Sequence, residues 1–128
     1  FTFALDGSTP IPATPPPAFA TAVDVADFQI DEELAQHGQE LWIESCTWCH
    51  GTAVVSGGKA PDLRESPIAM SAEALKAVVV DGAKVSAGMP YWKHYGDREI
   101  DGLMHYIRKR ARETAGKPIL RMNASQAQ

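Results

Sequence analysis

The chain has 128 residues, of which 45% are hydrophobic and 8% aromatic, and it carries a formal net charge of −4. This length suits one domain, and the composition is that of an ordinary globular protein. The net negative charge argues against a nucleic-acid partner. The most apolar window, residues 74–80, is interrupted by Lys76 and falls far short of the roughly eighteen apolar residues that a membrane helix needs.

The first 29 residues differ in kind from the rest, because five of the nine prolines fall at positions 10, 12, 15, 16 and 17. Clustered prolines favour extended polyproline II, so we predict a semi-rigid linker or strap. Ahead of it, residues 1–5 alternate in polarity and are followed by Asp6-Gly7, a pattern typical of the end of a strand. The chain starts at Phe1, so we expect a leader or an upstream domain to have been removed.

Three helices and no strand are predicted after residue 30. The first begins near Asp31, whose side chain can cap it, and runs to about Cys46. The second covers residues 71–80. The last begins near Asp97, carries an apolar stripe at helical spacing and ends at Gly116. The sequence therefore predicts an all-α domain.

Gly38 lies inside the apolar face of the first helix, where glycine costs roughly 1 kcal/mol relative to alanine. Its presence there predicts the close approach of another helix. Tyr106, at the edge of the stripe on the last helix, could meet Trp42 and Gly38.

The predicted divisions of the chain are a linker over 1–29, a domain over 30–116 and a tail over 117–128.

Charge is unevenly distributed along the chain. Residues 1–58 carry eight acids and no Lys or Arg, whereas residues 59–128 carry eight acids and twelve basic residues. Six of the basic residues form a cluster near the C-terminus. This cluster could be either a solvated helix face or a docking patch. That cluster consists of Arg108, Lys109, Arg110, Arg112, Lys117 and Arg121.

Both cysteines of the chain lie in one motif, Cys46-Thr47-Trp48-Cys49-His50. Cys-x-x-Cys-His is the attachment sequence for c-type haem, in which the two thiols form thioethers with the haem vinyl groups. The adjacent histidine is then placed as the proximal iron ligand. The motif predicts a red, redox-active protein that carries electrons.

Three other interpretations of the motif stay open on these five residues alone. A thioredoxin-like redox pair needs a strand before the motif, whereas the residues before Cys46 have a helical pattern. A structural zinc site needs four ligands, and His94 and His105 make a poor second pair. A plain disulfide between Cys46 and Cys49 would leave His50 unexplained.

A second axial ligand is expected for an electron carrier, and Met89 is the preferred candidate. It lies in Gly88-Met89-Pro90, in a loop 39 residues after His50. A soft thioether suits ferrous iron, so His/Met ligation raises the reduction potential. The other methionines fit structural roles. The alternatives are an open sixth position or a second histidine, namely His94, His37 or His105.

Further residues of the site can be proposed from the same stretch. A ligating histidine usually donates its other ring N–H to an oxygen, and the Pro61 carbonyl is the candidate acceptor for His50. Arg64 could hold a haem propionate through its guanidinium, or could be a surface charge. The aromatic residues Trp48, Tyr91 and Trp92 could line the haem or shield its edge.

On the basis of these residues, the chain resembles a class I cytochrome c domain, and more closely the C-terminal haem domain of quinohaemoprotein alcohol dehydrogenases. The resemblance covers roughly residues 30–113. The broad match rests on Cys46-x-x-Cys49-His50-Gly51, Pro61, Leu63, Gly88-Met89-Pro90 and Tyr106-Ile107. The narrower match rests on Pro61-Asp62-Leu63-Arg64 after Gly57-Gly58, on Gly82-Ala83 and on the Pro-rich strap.

This resemblance implies a class I cytochrome c fold, with helices packed around one covalently bound haem. It makes His50 and Met89 the iron ligands, Pro61 the acceptor for His50 and Arg64 a propionate partner. The full set of implied haem-binding residues is Cys46, Cys49, His50, Pro61, Leu63, Arg64, Met89 and Trp92. Trp48 and Trp92 depart from the smaller residues expected at their positions.

In the quinohaemoprotein family a propeller domain holding pyrroloquinoline quinone (PQQ) and calcium oxidises alcohols, and the cytochrome domain takes the electrons. Residues 1–7 resemble the closing strand of such a propeller, so the chain is expected to be a fragment or processed tail of a longer enzyme. The implied partners are a PQQ propeller domain or subunit and a downstream redox acceptor, in the periplasm. The alternatives are a free-standing periplasmic carrier and a haem enzyme or gas sensor with an open sixth site.

Overall fold

The computed structural model describes residues 26–57 and 59–115, together with residue 22, and these residues form helices and loops without a strand. The all-α prediction is confirmed for them. The strand-like residues 1–7, the prolines of the linker and the tail over 117–128 lie outside the described residues. The helices are α1 (Glu32–Leu41), α2 (Thr47–His50), α3 (Ala72–Val79) and α4 (Asp97–Thr114). Single 3₁₀ turns occur at Thr52–Val54, Pro67–Met70 and Val85–Ala87.

Side-chain caps set where α1 and α3 begin. The Asp31 carboxylate accepts hydrogen bonds from the backbone N–H groups of Glu33 and Leu34, at 2.9 and 3.0 Å. The Ser71 hydroxyl accepts one from the N–H of Ala74 at 3.2 Å. Each bond satisfies a donor that the first turn of a helix leaves without a partner. Both predicted starts are therefore confirmed.

The prediction that the first helix ends near Cys46 is wrong, because the helical path continues to His50. α1 passes into α2 through a π-turn, Trp42–Cys46, in which the N–H of Thr47 bonds to the Trp42 carbonyl five residues back. The Thr47 hydroxyl donates to the same carbonyl at 3.1 Å. The hydroxyl thus gives the Trp42 carbonyl a second donor within the wider turn. Single π-turns inside helices are frequent at functional sites.

α1 crosses α4 at a contact between two glycines. A Cβ atom on Gly38 would lie 1.9 Å from the backbone oxygen of Gly102, so only glycine permits this approach. The close approach predicted for Gly38 is confirmed. One turn further along, the rings of Trp42 and Tyr106 pack with their centroids 5.9 Å apart. Both side chains are buried.

The hydrophobic core is built on α4, which packs against α1 on one side and α3 on the other. α4 buries an apolar stripe at helical spacing, as its sequence predicts. The stripe meets residues from α3 and the π-turn. The principal members of this core are Trp42, Leu75, Val79, Ile100, Leu103 and Ile107.

A buried ion pair holds the loop between α2 and α3. The Asp62 carboxylate accepts hydrogen bonds from Nε and Nη2 of Arg64, at 2.9 and 2.6 Å, and from the backbone N–H groups of Arg64 and Ser56. The two charged side chains are only 6% and 3% exposed. Burial alone would raise the pKa of Asp62, but the hydrogen bonds and the Arg64 charge outweigh it and lower the pKa. On α4, Arg108 donates to the Leu63 carbonyl at 2.9 Å.

We predict that Gly38→Ala destabilises the fold strongly, although alanine is the better helix former by about 1 kcal/mol. The added methyl group would overlap the Gly102 backbone, which has no flexible side chain to move aside. Gly102→Ala should cost less, because its Cβ would lie 3.2 Å from its nearest neighbours. Thermal unfolding of both variants checks this, with the exposed Gln39→Ala as the control in α1. An unchanged melting temperature for Gly38→Ala would refute the contact.

We predict that Asp62→Asn lowers the free energy of unfolding at pH 7 by about 3 to 5 kcal/mol, the range for breaking a buried pair. The folded-state pKa of Asp62 is lowered, so its contribution is fully present above the unfolded carboxyl pKa. The contribution is lost as the pH falls through the folded pKa, and the variant should therefore lose less stability in acid than the wild type. Guanidinium titrations at pH 7 and at about pH 2.5, which is below the ordinary carboxyl pKa of 3.8, measure both effects. Asp97→Asn, which breaks an exposed pair with Lys76, is the matched control and should change little.

Candidate haem site

An apolar cavity of about 350 Å³ lies between α2, α3, α4 and the loops that follow α2 and α3. Most of its wall is aliphatic or aromatic, and none of the described carboxylates lines it. A cofactor pocket of this kind buries a flat, largely apolar group and keeps water from it. The apolar side chains of the wall include Trp42, Leu63, Ile68, Leu75, Val78, Val79, Trp92, Leu103 and Ile107.

The π-turn and α2 bring the three residues of the attachment motif to one side of this cavity. Cys46, Cys49 and His50 are spaced i, i+3 and i+4 along a helical path, a spacing that places side chains on one face. All three line the cavity. The chain thus presents two thiols and an imidazole together to an apolar space, which is the donor set that haem c requires.

α2 ends abruptly after His50 because the chain turns with three positive φ angles. Gly51 has φ +81°, and a Cβ atom there would lie 1.9 Å from the Val55 backbone oxygen. Ala53 and Val54 also adopt positive φ, at 54° and 64°. Such strain costs of the order of 1–3 kcal/mol per residue and persists only where the surroundings enforce it.

Three contacts hold this strained turn in place. The indole N–H of Trp42 donates to the Gly51 carbonyl at 3.0 Å, and Nε of Arg110 donates to the Ala53 carbonyl at 3.1 Å. The Val54 side chain is fully buried in the core. The end of α2, and with it His50, is therefore fixed by the π-turn and by α4.

The His50 ring is oriented by a backbone oxygen. Its Nδ1 lies 2.9 Å from the Pro61 carbonyl, and the side chain is buried. Because a carbonyl can only accept, Nδ1 carries the proton in neutral His50 and Nε2 keeps its lone pair. An imidazole in this tautomer is ready to coordinate a metal, with the hydrogen bond fixing its ring plane.

The loop carrying Met89 forms another part of the wall. It contains the 3₁₀ turn Val85–Ala87 and Gly88 in a left-handed conformation, and Met89 lines the cavity. The N–H of Trp92 donates to the Val79 carbonyl at 2.7 Å, which ties the loop to α3. Trp92 also lines the cavity and stacks on Tyr95 at a centroid distance of 6.0 Å.

The other methionines and histidines lie elsewhere. Among the described methionines, Met70 and Met104 are not part of the cavity wall. Of the four histidines of the chain, His50 alone lines it. The remaining three make other contacts: His37 faces Glu99 at 3.7 Å, His94 packs edge-on against Tyr95, and His105 accepts the N–H of Asp31 at 2.9 Å.

Two residues proposed from the sequence are placed differently from the rest. Arg64 does not line the cavity, and its Nε and Nη2 are occupied by Asp62, which leaves Nη1 for any propionate. Trp48 is 87% exposed and is no part of the wall. By contrast, Leu63 and Pro61 both line the cavity.

Among the wall residues that sequence reasoning missed, two are charged, Lys59 and Lys84. Sequence reasoning also assigned no role to Asp62, which organises the loop carrying Pro61. The only sequence signal was position: Lys59 lies two residues before Pro61, and Lys84 lies five before Met89. Neither spacing is a motif, so only the folded structure singles these lysines out.

The geometry of the site argues against two other interpretations of the cysteine motif, the thioredoxin-like redox pair and the structural zinc site. Burial, and secondarily the charge of Cys49, raises the pKa of Cys46 to about 12, so its thiol is protonated at neutral pH. A thioredoxin-like nucleophile needs the opposite shift. Within residues 26–57 and 59–115 no group of three or more His, Cys, Asp and Glu side chains is placed to hold a metal ion, whereas a structural zinc site needs four ligands.

None of the described helices is long and apolar enough to cross a membrane.

Comparison with known proteins places the chain among c-type cytochromes. The family model described as "Cytochrome C oxidase, cbb3-type, subunit III" matches residues 33–107. The chain is 34% identical over 113 residues to the quinohemoprotein alcohol dehydrogenase ADH IIB of Pseudomonas putida, covering 87% of this chain and 16% of that protein. It is 30% identical to the dehydrogenase subunit of an alcohol dehydrogenase (quinone) of Gluconobacter oxydans (strain 621H), covering 88% and 15%.

A solved structure agrees with these relatives. The quinohemoprotein alcohol dehydrogenase ADHIIG of Pseudomonas putida HK5 superposes with a TM-score of 0.61 at 27% identity, over 79% of this chain and 14% of that one. The chain thus spans about one sixth of the length of the relatives it matches. It belongs to the cytochrome c family that the cbb3-type subunit III model describes, as a c-type cytochrome domain similar to the haem domain of quinohaemoprotein alcohol dehydrogenases.

Proposed function

We propose that this chain transfers electrons through one covalently bound haem c. Cys46 and Cys49 would hold the haem by thioethers, and His50 and Met89 would bind its iron. The observation that carries the proposal is the single apolar cavity wall shared by both thiols, the oriented imidazole and the thioether of Met89.

The residues of the chain have separate tasks in this function. When bound, haem c supplies a one-electron ferric/ferrous couple. The Pro61 carbonyl fixes the tautomer of His50, and the apolar wall disfavours the higher charge of oxidised iron. Met89 favours the reduced iron through its soft sulfur. Arg64 can give Nη1 to a propionate while Asp62 keeps the rest of its guanidinium in place.

The similar proteins indicate where the electrons come from. The relatives are named as quinohemoprotein or quinone-dependent alcohol dehydrogenases, and this chain corresponds to a small part of each. We infer that the chain receives electrons from a propeller domain or subunit holding PQQ and calcium, where an alcohol is oxidised, and passes them to a downstream acceptor. Haem attachment of this type takes place outside the cytoplasm in bacteria, so we place the protein in the periplasm.

Covalent attachment is tested by replacing the thiols one at a time. When the chain is produced in the periplasm together with the cytochrome c maturation machinery, we expect a red protein whose pigment stays with the polypeptide in acidified butanone. Cys46→Ala and Cys49→Ala should each lose one thioether and shift the band of the reduced pyridine adduct, and the double variant should release its pigment. Ser45→Ala, a change in the same wall, is the control. Pigment extracted from the wild type would contradict the proposal.

Axial ligation by Met89 is tested by Met89→His and Met89→Leu. The wild type should show the weak absorption band near the red end of the visible spectrum that reports a bond between methionine sulfur and ferric iron. Both variants should lose it, and Met89→His should lower the midpoint potential by on the order of 0.1 V, within the roughly 0.8 V that axial ligands span. Met104→Leu, on the core stripe outside the cavity wall, is the matched control. If the band survives in Met89→Leu, another residue is the ligand.

A further inference from the structure

The Met89 loop, residues 80–96 between α3 and α4, is mostly exposed. Of residues 81–99, all of which the structure describes, Tyr95 alone is buried, at 8% exposure. Several hydrogen bonds of the loop are made within it, such as that from the N–H of Met89 to the Lys84 carbonyl at 3.2 Å. Bonds of this kind shape the loop but do not fasten it to the rest of the domain.

The Met89 loop is joined to α3 by backbone hydrogen bonds, among them that from the Trp92 N–H to the Val79 carbonyl at 2.7 Å. It is joined to the π-turn by a pair of side chains, since the hydroxyls of Tyr95 and Ser45 lie 3.1 Å apart. Either hydroxyl can donate. Ser45 lines the haem cavity and directly precedes Cys46. This bond therefore links the Met89 loop to the segment that carries the attachment motif.

The ring of Tyr95 also supports the wall of the cavity. It stacks on the Trp92 ring at a centroid distance of 6.0 Å and an interplanar angle of 16°. His94 packs edge-on against it at 4.8 Å. Trp92 lines the cavity and lies three residues after Met89, which lines it too. A shift of Tyr95 away from Ser45 would therefore move Trp92 and loosen the position of Met89.

The bond between the two hydroxyls lies where water does not readily replace it. Burial of the Tyr95 hydroxyl raises its pKa above the usual value, although the hydrogen bond with Ser45 acts to lower it. A buried hydroxyl that loses its partner costs more free energy than an exposed one. The start of α4 has its own cap, because the Glu99 carboxylate accepts the N–H of Gly96 at 2.8 Å. Loss of the Tyr95 bond would therefore free the loop rather than the helix.

We propose that Tyr95 is a positioning residue for Met89: its hydrogen bond to Ser45 latches the Met89 loop against the π-turn and so keeps small external ligands from the sixth position of the iron. This inference rests on the proposed electron-transfer function, in which Met89 binds the iron. An external ligand can bind only while Met89 is displaced. Its apparent affinity is therefore reduced by the small fraction of molecules in which the loop is open, and the latch lowers that fraction.

Cyanide binding to the oxidised, haem-loaded protein tests the latch. Tyr95→Phe keeps the ring and removes the hydroxyl, and Ser45→Ala removes its partner. Both cysteines stay, so the haem stays attached in each variant. We expect each change to raise the apparent affinity for cyanide about threefold to tenfold, the range for loss of one hydrogen bond. The double variant should rise no further, because both changes break the same bond.

Tyr91→Phe is the matched control, because it removes a hydroxyl from an exposed ring of the same loop. Its affinity for cyanide should stay within about twofold of the wild type, as is usual for a surface change.

Hydrogen exchange of backbone amides gives a readout that does not depend on the iron. In Tyr95→Phe the amides of Met89 and Trp92 should exchange faster, because the loop opens more often. The N–H of Asp31, bonded to His105 outside the loop, should exchange as in the wild type.

Unchanged cyanide affinity in both single variants would overturn the proposal, even if their free energy of unfolding falls, because the bond would then stabilise only the fold. Additive effects of Tyr95→Phe and Ser45→Ala would also overturn it, since each residue would then act without the other. The proposed function fails separately, when the wild type carries no covalent haem. The exchange of the Met89 and Trp92 amides then still shows whether the two hydroxyls hold the loop.

Discussion

The backbone contact between Gly38 and Gly102 is the constraint on which the rest of the site depends. It lets α1 and α4 approach more closely than any other residue would allow, and it therefore sets where Trp42 lies. Trp42 packs on Tyr106 and donates its indole N–H to Gly51, which fixes the end of α2. Cys49 and His50 lie on that short helix, and Cys46 immediately precedes it. A backbone contact between two residues outside the cavity wall thus decides how the attachment motif faces the cavity.

The hydrophobic core and the cavity share a boundary. Four side chains of α3 and α4 belong to the core and also line the cavity, namely Leu75, Val79, Leu103 and Ile107. The loop between α2 and α3 is held by charge, since Asp62 and Arg64 form a buried pair and Arg108 bonds to the same segment. Breaking such a pair costs more than an exposed one, because it leaves a buried charge without its partner. The Pro61 carbonyl gains its fixed position from this pair, and His50 gains its orientation from Pro61.

Local signals in the sequence were sufficient to predict the starts of α1 and α3 and to identify the cysteine motif, but not to predict how the helices and loops are arranged. Asp31 and Ser71 could be identified as caps and Gly38 as a close contact, because each effect acts within one turn or one face of a helix. The π-turn that ends at Cys46 could not be predicted, since it depends on the Thr47 hydroxyl and on the position of Trp42 in the packed structure. The pairing of Arg64 with Asp62 and the place of Lys59 and Lys84 in the cavity wall likewise follow from loops brought together by tertiary folding.

The central claim is that this polypeptide carries one haem joined to Cys46 and Cys49. Mass spectrometry of the intact protein under denaturing conditions tests it directly, because denaturation removes a cofactor held only by ligation and packing. The account predicts a single species with the mass of the polypeptide plus one haem, and peptides in which the added mass maps to residues 46–50. The mass of the bare polypeptide, from a protein purified red, would contradict it.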